Sequence, residues 1–169
     1  MVIGISVASF TVLHVIISLI AIAAGFVVMY GLAVNREGRG WTALFLLTIV
    51  LTSITGFMFP FTGFGPPHMF GLVSLVALAA VLYARYATRL AGHWRWIYVV
   101  GVFLAAYLNV VVGVVQAFGK IGFLHAIAPE QTETPFLLAQ IAVLIVVAVT
   151  FYLALRRYHP RAAPGIPAD

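Results

Sequence analysis

Long, uninterrupted apolar runs alternate along this chain with short polar separators. Five runs stand out, at about 5–34, 42–59, 68–86, 96–118 and 136–155. Between them lie 35–41, 60–67, 87–95 and 119–135, and a polar tail follows from Arg156. A helix needs about 20 apolar residues to cross the hydrocarbon layer, and membrane strands would show alternation within ~10-residue segments. The runs are continuous, so the pattern predicts an all-α integral membrane helical bundle of five transmembrane helices. Local punctuation agrees. Thr134 places a hydroxyl ahead of Pro135 at a helix start, and Pro66 and Pro67 introduce the third run. The first run is far longer than the ~7–15-residue apolar region of a secretory signal, and no Lys or Arg precedes it. It reads as a retained span.

Charge adds an orientation. Arg36 and Arg39 occupy the first separator, Arg85, Arg89 and Arg95 flank or occupy the third, and Arg156, Arg157 and Arg161 fall at the end. The fourth separator carries Lys120 against Glu130 and Glu133, and the second carries no charge. All eight arginines therefore face one side, which the positive-inside rule makes cytoplasmic. The N-terminus is then outside and the C-terminus inside. Trp41, Trp94 and Trp96 lie at the same inner ends, where indoles suit the membrane–water interface.

Composition narrows the class further. Of 169 residues, 64% are hydrophobic and 8% charged, against about 25% charged in a soluble domain. The lipid bilayer is the expected surroundings, and 1–169 reads as a single transmembrane domain with a short cytoplasmic tail at 156–169. The formal charge of +5 is scattered by topology and forms no basic cluster, so nucleic acid is not an expected partner. Cysteine is absent, which excludes disulfides, thiolate metal sites and cysteine nucleophiles.

Small and polar residues mark the inward faces, since helices in lipid associate through such stripes. Gly101, Ala105, Asn109, Gly113 and Ala117 recur on the fourth run, with Gln116 beside them. His14, Ser18, Ala21 and Gly25 share a face of the first run, and Thr48, Thr52, Thr55 and Phe59 share one of the second. His14 and Asn109 are thus expected to face protein. His93 and His159 sit among arginines and read as solvated. His14, His68 and His125 instead converge on one level, the outer mouth, with His125 inside the string 121–128 that suits a short interfacial helix.

Several readings of these three histidines stand side by side. Each could bond a loop carbonyl or a neighbour such as Gln116 or Gln140. His14 and His68 could hold haem b as two imidazoles from different helices, walled by Phe57, Phe59, Phe61, Phe64 and Phe70. His14, His68 and His125 could bind a transition metal, with Met58 and Met69 as soft ligands for copper. A quinone or lipid pocket is the fourth reading. No span contains Asp or Glu, and no phosphate loop, metalloprotease motif or serine nucleophile with a base is present, so an autonomous enzyme is not expected.

The strings TGFMFP at 55–60, PHMFGLVSL at 67–75, WRWIYV at 94–99, YLN at 107–109 and APEQTETPF at 128–136 resemble those of small, uncharacterised multi-pass inner-membrane proteins of proteobacteria. The resemblance implies a polytopic protein of the bacterial inner membrane and carries no activity. Two function classes follow: haem or metal binding at the outer mouth, for electron transfer or metal handling, or an accessory or structural subunit of a larger membrane complex with structural histidines. The orientation is tested with single cysteines. Those at Gly63 and Gln131 are expected to react with an impermeant thiol reagent from outside, and those at Gly38 and Gly92 to stay unlabelled; the reverse pattern overturns it.

Overall fold

Each apolar run forms one helix. The computed structural model describes residues 2, 4–60 and 65–160. Within them the order is α1 (Val7–Ala33), α2 (Arg39–Gly56), α3 (Pro66–Leu82), α4 (Trp94–Lys120), a short α5 (Gly122–Ile127) and α6 (Thr134–Arg157). A π-helical turn, Tyr83–Ala87, continues α3. Five of these helices are long and apolar enough to cross a membrane. Phe61, Gly63, Phe64 and Arg161 lie outside the described residues.

Helices α1 to α4 form a ring, α1 against α2, α2 against α3, α3 against α4 and α4 back against α1, while α6 packs over the α1–α4 side. The expected stripes face inward. Ala21, Gly25, Thr48, Thr52, Gly101, Ala105 and Asn109 are all buried. Two glycines set the spacing: a Cβ on Gly25 would come within 3.1 Å of the Phe45 ring, and one on Gly101 within 2.4 Å of Val81. Lacking that carbon, both helices approach their neighbours closely and gain dispersion contact.

The buried core occupies only half of the bundle. It takes Ala21 to Leu32 of α1, Phe45 to Ile49 of α2, Leu78 to Ala84 of α3, Tyr98 to Ala106 of α4 and Val147 to Tyr158 around the end of α6. All of these lie toward the arginine-bearing end. There a single carboxylate ties the segments together. Glu37, in the α1–α2 turn, accepts hydrogen bonds from Thr42 Oγ1 at 2.9 Å and Tyr98 Oη at 2.7 Å, and also from Arg85 and from Tyr158 Oη. Arg85 also donates to Tyr98 Oη at 2.9 Å. Arg85 belongs to the π-helical turn, whose wider winding re-aims side chains relative to an α-helix. Asn35, at φ 55°, ends α1 in the left-handed region that asparagine tolerates, and its Oδ1 accepts the His159 N–H at 3.0 Å.

Glu37 and Arg85 are each about 15% exposed, at 14% and 15%, so solvent screens the pair little. Burial alone would raise the Glu37 carboxyl. The bonds from Tyr158 and Tyr98, the Arg85 charge and the Thr42 bond outweigh it and hold the carboxyl below its ordinary 4.5. Burial and the Glu37 charge push the Tyr158 hydroxyl well up, so it stays a donor.

Two outcomes follow for thermal unfolding in detergent. Glu37→Ala strands a half-buried guanidinium and two phenols, and is expected to cost about 3–5 kcal/mol, with Glu37→Gln milder. In the wild type the native state holds fewer protons on Glu37 than the unfolded state. Its contribution is therefore complete above the unfolded value near 4.5 and falls as pH drops through the lower folded value. Glu37→Gln is expected to flatten that acid slope; an unchanged slope would assign it elsewhere.

Candidate functional site

The half of the bundle opposite the core cluster buries Phe10 and Phe118 but also encloses open space. A cavity of about 690 Å³ lies between α1, α2, α3 and α4. On α1 its lining runs from Thr11 to Ile22, about 16 Å of helix at 1.5 Å per residue. It therefore reaches from the mouth to the middle of the bundle.

His14 stands on the α1 wall. Its Nδ1 lies 2.8 Å from Thr55 Oγ1 on α2, and that hydroxyl already donates to Leu51 O at 2.7 Å. A hydroxyl has one hydrogen. With the Thr55 hydroxyl donating to its own helix, as threonines within helices do, His14 donates from Nδ1 to Thr55 and its Nε2 lone pair has no partner among the described residues. Phe59 meets the ring edge-on at 5.2 Å.

His68, at the start of α3, lines the same cavity in the opposite protonation. Its Nδ1 accepts the Gly65 N–H at 3.3 Å, closing a capping arrangement on α3. In the neutral ring the proton is then on Nε2, and His68 acts as a helix cap beside Phe57, 5.9 Å away. The two histidines expected at the mouth thus share one cavity but offer different chemistry, a lone pair from His14 and a capped ring from His68. His125 sits exposed on α5 and does not line the cavity, nor do Met58 and Met69. Among the described residues no group of three His, Cys, Asp or Glu is placed to hold a metal ion.

One turn deeper a polar tier crosses all four helices. Ser18 Oγ donates to Asn109 Oδ1 at 3.1 Å, joining α1 to α4. Opposite it Thr52, Ser53 and Ser74 line the cavity, at 8%, 7% and 5% exposure. The Thr52 hydroxyl is buried with no hydrogen-bond partner. No bond to the Ser53 or Ser74 hydroxyl is present among the described residues either. Hydroxyls on helices usually bond the carbonyl one turn back, as Thr48 does with Leu44 at 2.7 Å. These three do not. Below the tier the lining turns apolar at Ile22 and Ile49, and at the mouth Lys120 and Gln116 complete it. Among the described residues no Asp or Glu lines the cavity.

Sequence periodicity placed Ser18, Thr52 and Asn109 on inward faces but read them as packing surface. Ser53 and Ser74 carried no sequence signal, since which hydroxyls lack a carbonyl partner is decided only by side-chain geometry. No protein family, curated protein or solved structure matches this chain.

The protonation pattern is directly measurable. In ¹⁵N-histidine NMR spectra of the neutral protein, His14 is expected to show a protonated Nδ1 and an unprotonated Nε2. Thr55→Val removes the acceptor and should shift His14 toward the Nε2–H form. An Nε2–H form already present in wild type overturns the assignment.

Proposed function

We propose that this is a multi-pass membrane protein of the bacterial inner membrane, N-terminus outside, that binds a small amphipathic molecule in the cavity at its outer end. The membrane reading is supported by the outer faces of the helices. Val12, Leu19, Leu47, Val76 and Leu138 are each at least 59% exposed, as suits contact with lipid. Helix α6, 24 residues long, spans about 36 Å against a hydrocarbon layer of about 30 Å.

The observation that carries the binding reading is a cavity large enough for a ligand, lined by serines, Ser53 and Ser74, whose hydroxyls have no partner among the described residues. Buried hydroxyls without partners cost free energy, and the volume of about 690 Å³ lies within the usual range for small-molecule pockets, roughly 300–1,000 Å³. Phe57, Phe59 and Phe70 supply aromatic wall, and His14 supplies a fixed acceptor.

A second reading is favoured by the His14–Thr55 bond. Metal-ligating histidines donate their other ring N–H to an oxygen in this way, so His14 Nε2 would be the residue to hold haem b, which would supply electron transfer. The capped His68 ring keeps its proton on Nε2, so that site would rest on His14 alone.

Gently purified protein distinguishes the readings. Organic extraction and mass spectrometry should recover a co-purifying amphiphile from wild type at several-fold higher occupancy than from His14→Ala. A Soret band lost in His14→Ala would instead support haem. Colourless protein that yields the same extract with and without His14 overturns both.

A further inference from the structure

Resting on the cavity-binding reading, we propose that the ligand is a neutral aromatic ring with oxygens at opposite edges, and that the cavity prefers its dihydroxy form: a quinol over the corresponding quinone.

The depth profile sets the shape. On α1 the polar tier at Ser18 lies one turn beyond His14, about 5.4 Å along the axis. That spacing is comparable with the separation of para oxygens across a six-membered ring. Phe59 stands beside His14, Phe57 and Phe70 form further wall, and Ile22 and Ile49 close the floor. A flat ring fits between such walls. An alkyl tail pushed inward would leave the unpartnered Ser53 and Ser74 hydroxyls facing carbon, which is the costly arrangement. The ring therefore enters first and any tail leaves through the mouth.

Charge sets the neutrality. Among the described residues no Asp or Glu lines the cavity, and the lysine or arginine that does, Lys120, stands at the mouth, beyond the tier. An anionic headgroup at tier depth would meet hydroxyls and one amide without a counter-charge.

Hydrogen-bond polarity sets the oxidation state. Because the Nδ1–H is directed to Thr55 Oγ1, whose own hydrogen goes to Leu51 O, His14 presents the lone pair of Nε2. That lone pair accepts from a phenolic O–H and opposes a quinone carbonyl, which has no hydrogen to give. At the far edge the hydroxyls of Ser53 and Ser74 can each donate to an oxygen or accept from an O–H, so they serve both oxidation states. Discrimination thus falls on His14.

Full-length protein in detergent is titrated with decylubiquinol and with decylubiquinone, following heat of binding and the shift in thermal midpoint. Wild type is expected to bind the quinol at least tenfold more tightly. Ser74→Ala should weaken both forms to a similar extent and leave the ratio unchanged. His14→Ala should abolish the preference. Thr55→Val, which keeps the imidazole but frees its proton, should also reduce the preference, and it keeps the test open if His14→Ala does not fold. Equal or tighter binding of the quinone by wild type overturns the proposal. If neither form binds while sodium oleate does in a His14-dependent manner, the quinol assignment falls and the cavity reading stands. If none binds and no amphiphile co-purifies, both fall.

Discussion

A carboxylate enclosed by four donors organises this protein. Taking a charge out of water costs several kcal/mol unless its lone pairs are used, and Glu37 uses them on Thr42, Arg85, Tyr98 and Tyr158. Those donors come from the start of α2, the π-helical turn after α3, the first turns of α4 and the residue that ends α6. One side chain thereby sets the relative positions of four helical segments. The core assembles next to it, where Tyr98 and Tyr158 carry their rings into the same cluster that holds Leu32, Val81 and Ala154.

With one end fixed, the opposite end is free to be hollow. The helices there meet through a few aromatic contacts, Phe10 with Phe59 and Phe118 with Phe136, through isolated polar bonds, Ser18 to Asn109 and His14 to Thr55, and through the contact of Phe57 with Gly71, where a Cβ would come within 2.9 Å of the ring. Such a site lowers stability, because voids forfeit dispersion contact and unpartnered hydroxyls forfeit hydrogen bonds. The dense, ion-paired half offsets that cost. Stability and binding are thus divided between two ends of one bundle.

The periodicity of small and polar residues was enough to aim His14, Ser18, Thr52 and Asn109 inward, since a helix repeats its faces every 3.6 residues wherever it packs. The histidine grouping was legible only in part. His14 and His68 reach one cavity because their helix ends lie at the same level, whereas His125 turns outward on a short helix whose facing depends on how 119–135 folds back. Glu37 was passed over, although it is the single acidic residue between α1 and α2. Among arginines it looks like loop charge, and nothing local distinguishes a solvated carboxylate from one that two distant tyrosines enclose.

The sequence by itself determined that the chain is all-helical with five long apolar helices, and which faces turn inward, because continuous apolarity and helical spacing are local properties. Tertiary structure alone decided that the main core cluster fills one half and a cavity the other, that Glu37 is a hub, and that His14 Nδ1 meets Thr55 Oγ1. Those features depend on where hydrogens and lone pairs from residues 41 to 121 positions apart meet, and a hydrogen bond is specified by both its partners, never by either one's neighbours along the chain.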